Sequence, residues 1–173
     1  MSRRLVISIW TCALLSACSH LHTTSNKDGL QATQPSTASS ISKSDRGTPE
    51  EAKALLDRAI DHYKGVGRDK ALSDFNSKTA GFIDRDLYVV CIDSKRKVVA
   101  NGGFPQYIGG PVDLLRDASG HSMGKAIEDA ANSADGKVEY AWLNPVTHVT
   151  EKKLGFFKKI GDDICGVGAY SRN

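Results

Sequence analysis

The hydrophobic period of the chain changes at Gly81, and that change restricts the fold more than any other feature. Upstream, Ala52, Leu55, Leu56, Ala59, Ile60 and Tyr63 recur at helical spacing. Thr48-Pro49-Glu50-Glu51 opens this pattern with an N-cap, a proline at the first helical position and a capping-box glutamate; Gly65 and Gly67 close it. A shorter helix is predicted over Asp69 to Asn76, burying Ala71, Leu72 and Phe75. Downstream, β-branched runs take over. Leu87 to Ile92 and Val98 to Ala100 flank a turn at Asp93-Ser94-Lys95-Arg96, and Asn101-Gly102-Gly103 stops the second strand. Residues 104–134 are punctuated by Gly and Pro, with a helix predicted from Gly124 to Ser133. Three further strands are expected at Gly136 to Leu143, Lys153 to Ile160 and Ile164 to Tyr170. The expected fold is α+β: a long helix packed on a five-stranded antiparallel sheet, with a loop and helix inserted after the second strand.

The first 47 residues do not belong to that pattern. Met1-Ser2-Arg3-Arg4 is basic, Leu5 to Leu15 is apolar but short for a membrane span, and Leu15-Ser16-Ala17-Cys18 places small residues before a cysteine. This resembles a bacterial lipoprotein signal. The resemblance implies removal of residues 1–17, Cys12 with them, and acylation of Cys18 as the first mature residue. Ser19 rather than Asp at the next position implies the outer membrane, with the protein lipid-anchored in the cell envelope and facing the periplasm. From residue 18 to 47 the chain is rich in Ser, Thr, Gln and Lys and poor in large apolar residues, so it reads as a flexible linker. His20 and His22 stand alone there, short of the four ligands a structural metal needs.

Charge and motifs narrow the function further. The formal charge of +3 falls to about +1 once Arg3 and Arg4 are set aside, which gives no basis for nucleic-acid binding. Gly166-Val167-Gly168 opens no helix and so is not a phosphate-cradling turn. No Ser/His/Asp arrangement is visible, and His62, His121 and His148 have no evident orienting neighbour. No enzyme, metal or cofactor is expected.

In Glu139-Tyr140-Ala141-Trp142-Leu143-Asn144-Pro145 the strand period puts Tyr140 and Trp142 on one face, opposite Ala141 and Leu143. The latter pair suits packing under the long helix. The aromatic face then looks toward the insert, either as core or as the wall of a binding site.

Five strands interrupted after the second is the layout of PAS-like sensors. Residues 49–173 resemble a single Cache domain, through AKALLDRAIDHYKGVGRDKALSDFN, DLYVVCID, VVANGGFPQYIGG, LLRDASGHSMGKAI, VEYAWLNP and KKLGFFKKIGDDICGVGAY. The resemblance implies an extracytoplasmic module that binds a small molecule, commonly an organic acid. On it, Tyr140 and Trp142 form an apolar wall, Tyr107 approaches from the loop after the hairpin, and Lys153, where the pattern also carries a lysine, supplies positive charge. It also sets the first and last strands side by side, so Cys91 and Cys165 face each other either as a disulfide or as two buried thiols. Phe156 and Gly155 stand where the family often has Tyr and Ser. No membrane span or signalling module follows the last strand, so occupancy is expected to pass to a separate partner protein. The competing expectation is a ligand-free tethered adaptor.

Overall fold

The computed structural model describes residues 45–171. The signal segment 1–17, Cys18, His20, His22 and the linker up to residue 44 lie outside the described residues.

Helix α1 spans Pro49–Val66 and starts as its residues dictate: Thr48 Oγ1 accepts from the Glu51 N–H at 3.2 Å, and Glu51 Oε2 accepts from the Thr48 N–H at 2.8 Å. The helix buries Ala52, Leu55, Leu56 and Ala59 along one stripe. Gly67, at φ 84°, ends it and opens α2, Arg68–Phe75. Asp163 then fastens this corner to the sheet, accepting from Tyr63 Oη at 2.9 Å and from Arg68 Nε and Nη2 at 2.9 and 3.1 Å. Burial first, and this hydrogen bond second, push the Tyr63 phenol up to about 12.

The strands are β1 (Ile83–Asp84), β2 (Leu87–Ile92), β3 (Val98–Asn101), β4 (Lys137–Leu143), β5 (Thr150–Ile160) and β6 (Asp163–Tyr170). They form one antiparallel sheet in the order β1-β2-β6-β5-β4, with β3 also paired to β2. The two-residue β1 is too short to leave a periodic signal. Strand β5 begins at Thr150, ahead of the expected Lys153, because β4 pairs it from Thr150 to Phe156. Between β3 and β4 come short 3-10 turns at Pro105–Tyr107 and Val112–Leu114 and helix α3, Met123–Asn132. Arg96, in the β2–β3 turn, ties this insert down through Asp113 and Glu128.

The sheet has two working faces. Beneath α1 lie Leu87, Val89, Cys91, Phe156, Cys165 and Val167, packed with the helix stripe into the main core. Cys91 and Cys165 are register partners on β2 and β6, joined as a disulfide at 2.01 Å. Beneath α3 lie Val90, Ile92, Val138, Phe157 and Ile164, with Tyr140 and Trp142 packed against them. The aromatic pair thus faces the insert, but Ala141 and Leu143 do not pack under α1. Leu143 is exposed, because β4 is the edge strand and α1 lies over β2, β5 and β6.

Candidate ligand pocket

The β5–β6 register sets Lys153 opposite Tyr170, Gly155 opposite Gly168 and Phe157 opposite Gly166. All lie on the insert side of the sheet by the two-residue period. The glycines are what allow the large side chains to lie flat: a Cβ on Gly168 would sit 2.6 Å from Lys153 Cε, and one on Gly166 would sit 2.2 Å from Phe157 Cδ1. The Lys153 stem therefore crosses the sheet surface, and the residue is only 2% exposed. Its ammonium lies 3.9 Å from the centre of the Tyr88 ring and 4.2 Å from that of Tyr170. No hydrogen bond or ion pair to it occurs among the described residues.

The surroundings explain why. Asp86, fully buried, spends Oδ1 on the Gly47 N–H at 2.7 Å and Oδ2 on Asn144 Nδ2 at 3.2 Å. Glu151 takes a two-pronged pair from Arg46, Nη1 to Oε2 at 2.8 Å and Nη2 to Oε1 at 2.6 Å, and a further bond from Asn144 at 3.0 Å. Burial works to raise the Glu151 carboxyl, but Arg46 and Asn144 outweigh it and hold it below its ordinary value. Desolvation drives the Lys153 ammonium well below the usual lysine range, opposed by the charge on Asp86. The Tyr170 hydroxyl donates to the Leu143 carbonyl at 2.6 Å, so Tyr88 is the donor in the 3.3 Å bond between the two phenols. Burial, as the largest cause, raises both phenols and that of Tyr140.

In front of Lys153 is a small cavity of about 30 Å³. Tyr88, Val90, Phe157 and Gly168 floor it, Val112 and Leu115 of the insert and Met123 and Ile127 of α3 roof it, and Tyr140, Trp142 and Asn101 close its sides. Asn101 Oδ1 is committed to the Phe104 N–H at 2.9 Å, which leaves its NH2 group to donate. A wider cleft of about 710 Å³ opens beside it, between Gly47 to Glu50, the 117–121 loop and β4, and includes Tyr140, Lys153 and Tyr170. The smaller cavity is where apolar walls from the insert and α3 converge on Lys153 and Asn101.

Three of the expected site residues, Tyr140, Trp142 and Lys153, meet at this cavity. Tyr107 does not line it: its ring stands 5.8 Å from Phe104 and 6.3 Å edge-on to Trp142, a buttress behind the wall. Sequence reasoning missed Tyr88, Tyr170 and Asn101. The same-face alternation of Tyr88 with Val90 was the available signal, but only the register puts it beside Lys153. The histidines need a correction too. His62 Nε2 lies 2.8 Å from Asp74 and His121 Nδ1 3.5 Å from Asp117, so both have a carboxylate neighbour. Neither ring is bonded to a serine, threonine or cysteine among the described residues. Within the same residues no group of His, Cys, Asp and Glu could hold a metal ion, and no helix is long and apolar enough to cross a membrane.

The profile of the single Cache domain 2 family matches residues 37–170. The chain belongs to that family. Cache domains are extracytoplasmic sensor modules that bind small molecules and are typically not enzymes. Among solved structures, this Cache domain is similar to a methyl-accepting chemotaxis protein from Vibrio parahaemolyticus, at TM-score 0.61 and 21% identity over 70% of this chain and 86% of that one. It is also similar to a Cache chemosensory domain described for carboxylic acid recognition (TM-score 0.53, 17% identity, 71% and 88% covered). A periplasmic sensor domain of a chemotaxis protein matches at TM-score 0.54 and 20% identity, covering 71% and 90%. These identities speak to the fold alone. No curated protein sequence matches.

Proposed function

We propose that this Cache domain binds a short-chain monocarboxylate, whose carboxylate pairs with Lys153, and that it does so on an envelope lipoprotein anchored through Cys18 that reports occupancy to a separate partner. The observation that carries the reading is a buried lysine facing a cavity with no protein acceptor of its own. Buried cations are ordinarily paired, and a carboxylate in the cavity would supply the missing partner. The Asn101 NH2 group, at the same cavity, is left to donate a further hydrogen bond to the carboxylate. Apolar walls from Val90, Val98, Val112, Met123 and Ile127 suit an alkyl tail and offer nothing to an α-ammonium, which argues against amino acids. A cavity of about 30 Å³ has room on the order of two waters, so the ligand is small, of the size of formate or acetate. That one solved relative in fold is described for carboxylic acid recognition is consistent with this choice.

The test is a thermal-shift and calorimetric screen of residues 19–173 against short acids and their amides. Ligand at a hundredfold over Kd should add about 2.7 kcal/mol of stability. Lys153→Met should weaken the acid by roughly a hundredfold, the scale of losing one partner of a buried charge pair, and leave the amide nearly unchanged. Equal acid binding by Lys153→Met and wild type would reject the pairing. The smallness of the cavity favours one rival, a ligand-free tethered adaptor; a screen with no stabilising acid would support it.

A further inference from the structure

Lys153 is enclosed from every side by named groups. The turn before β2 presents Asp86, β2 Tyr88, β3 Asn101, β4 Tyr140 and Trp142, β5 Glu151 and β6 Tyr170, while the insert and α3 add only apolar side chains at the cavity. Both carboxylates are already engaged, Asp86 by the Gly47 N–H and Asn144, Glu151 by Arg46, Asn144 and Thr147. Beyond the Tyr140 side, the wider cleft brings Glu50, Asp117, His121, Glu139 and Lys152. An ammonium here has lost water and gained two aromatic faces. Cation–π contacts to two rings return less than the desolvation of an unpaired ion costs.

We propose that the empty pocket holds Lys153 as a neutral amine and that a carboxylate enters together with one proton, so that the species taken up is, in net terms, the undissociated acid. This rests on the carboxylate reading above. The proton goes to Nζ, completing an ammonium that pairs with the carboxylate; no covalent bond is made or broken. Desolvation, which drives the free lysine well below its ordinary range, points the same way. Tyr88, Tyr140 and Tyr170 are raised and stay protonated, and Glu151 is held low and stays ionised, so none of them competes as the titrating group near neutral pH. The sign follows by linkage. The lysine titrates low when the pocket is empty and higher when a carboxylate pairs with it. Between those two values each binding event takes up a proton, and affinity falls about tenfold per pH unit as pH rises. Below the empty-pocket value the dependence disappears.

Residues 19–173 titrated with acetate in HEPES and in Tris, from about pH 6 to 9, give the proton count from the difference in binding enthalpy. Uptake near one proton, retained in His121→Gln, is expected. In parallel, lysine 13Cε resonances of the ligand-free chain should show one signal, missing in Lys153→Met, that titrates well below the rest and moves up when acetate is added. Acetate binding with no proton uptake, or a Lys153 signal titrating with the surface lysines, overturns the proton coupling while leaving carboxylate binding in place. Binding of neither acetate nor any other short acid overturns both.

Discussion

Single residues without side chains shape this pocket as much as the charged one at its centre. Gly166 and Gly168 lie under Phe157 and Lys153, and the two positions respond differently to a methyl group. At Gly166 the added Cβ would meet Phe157 Cδ1 at 2.2 Å and the Phe156 carbonyl oxygen at 2.6 Å. Backbone cannot yield as a side chain can, so Gly166→Ala should destabilise by about 1–3 kcal/mol in urea unfolding. At Gly168 the nearest atom is Lys153 Cε, in a flexible stem. Gly168→Ala should therefore be milder in stability, yet displace the amine and weaken acetate by roughly tenfold, the equivalent of about 1.4 kcal/mol. Wild-type acetate affinity in Gly168→Ala would show that the stem does not need that path.

Among the elements, β2 and β6 carry the strongest tie, since the Cys91–Cys165 link joins central strands 74 residues apart in sequence. It lies on the α1 face, away from the pocket, so its role is stability. Chain-entropy arguments put an upper value of about 4.5 kcal/mol on closing such a loop, less any native-state strain. Quantitative thiol labelling of unfolded, unreduced residues 19–173 should find neither cysteine free, and reduction should lower the melting temperature. Full labelling of both would reject the bond. The segment before α1 is tied just as specifically. Arg46 and Gly47, at the end of the expected linker, are bonded to Glu151 and Asp86, so the chain joins the fold beside Lys153.

For the whole molecule the proposed Cys18 anchor sets where the domain works. Several acyl chains, at about 0.8 kcal/mol per buried methylene, would hold the protein stably at a membrane where a single chain would not. The proposal predicts that Cys18→Ser abolishes acyl labelling and accumulates uncut precursor. A Cys18→Ser protein that still fractionates with membrane and carries acyl label would refute it. With Arg46 paired to Glu151 and the Ser171 N–H bonded to the Lys152 carbonyl, both ends of the described chain meet the start of β5. The described chain therefore enters and leaves the domain at the end where the pocket's carboxylate network lies.

What the sequence determined by itself is the part of the fold written in local chemistry. The capping box at Thr48, the helical stripe from Ala52 to Ala59 and the alternation around Tyr140 and Trp142 depend on neighbours a few positions away, and the structure places them as that chemistry requires. Pairing of β2 with β6 was reached only through the family resemblance, because strands separated by more than 70 residues leave no local mark on each other. The state of Lys153 was decided by tertiary structure alone. In sequence it stands among Lys152, Lys158 and Lys159 and looks like another solvated cation; Lys158 is exposed and pairs with Asp57 on the surface. Register puts Gly168 under its stem, Tyr88 and Tyr170 around its amine, and commits the nearby carboxylates to Arg46, Asn144 and Gly47. Desolvation depends on what surrounds a group in three dimensions, and no local pattern encodes it.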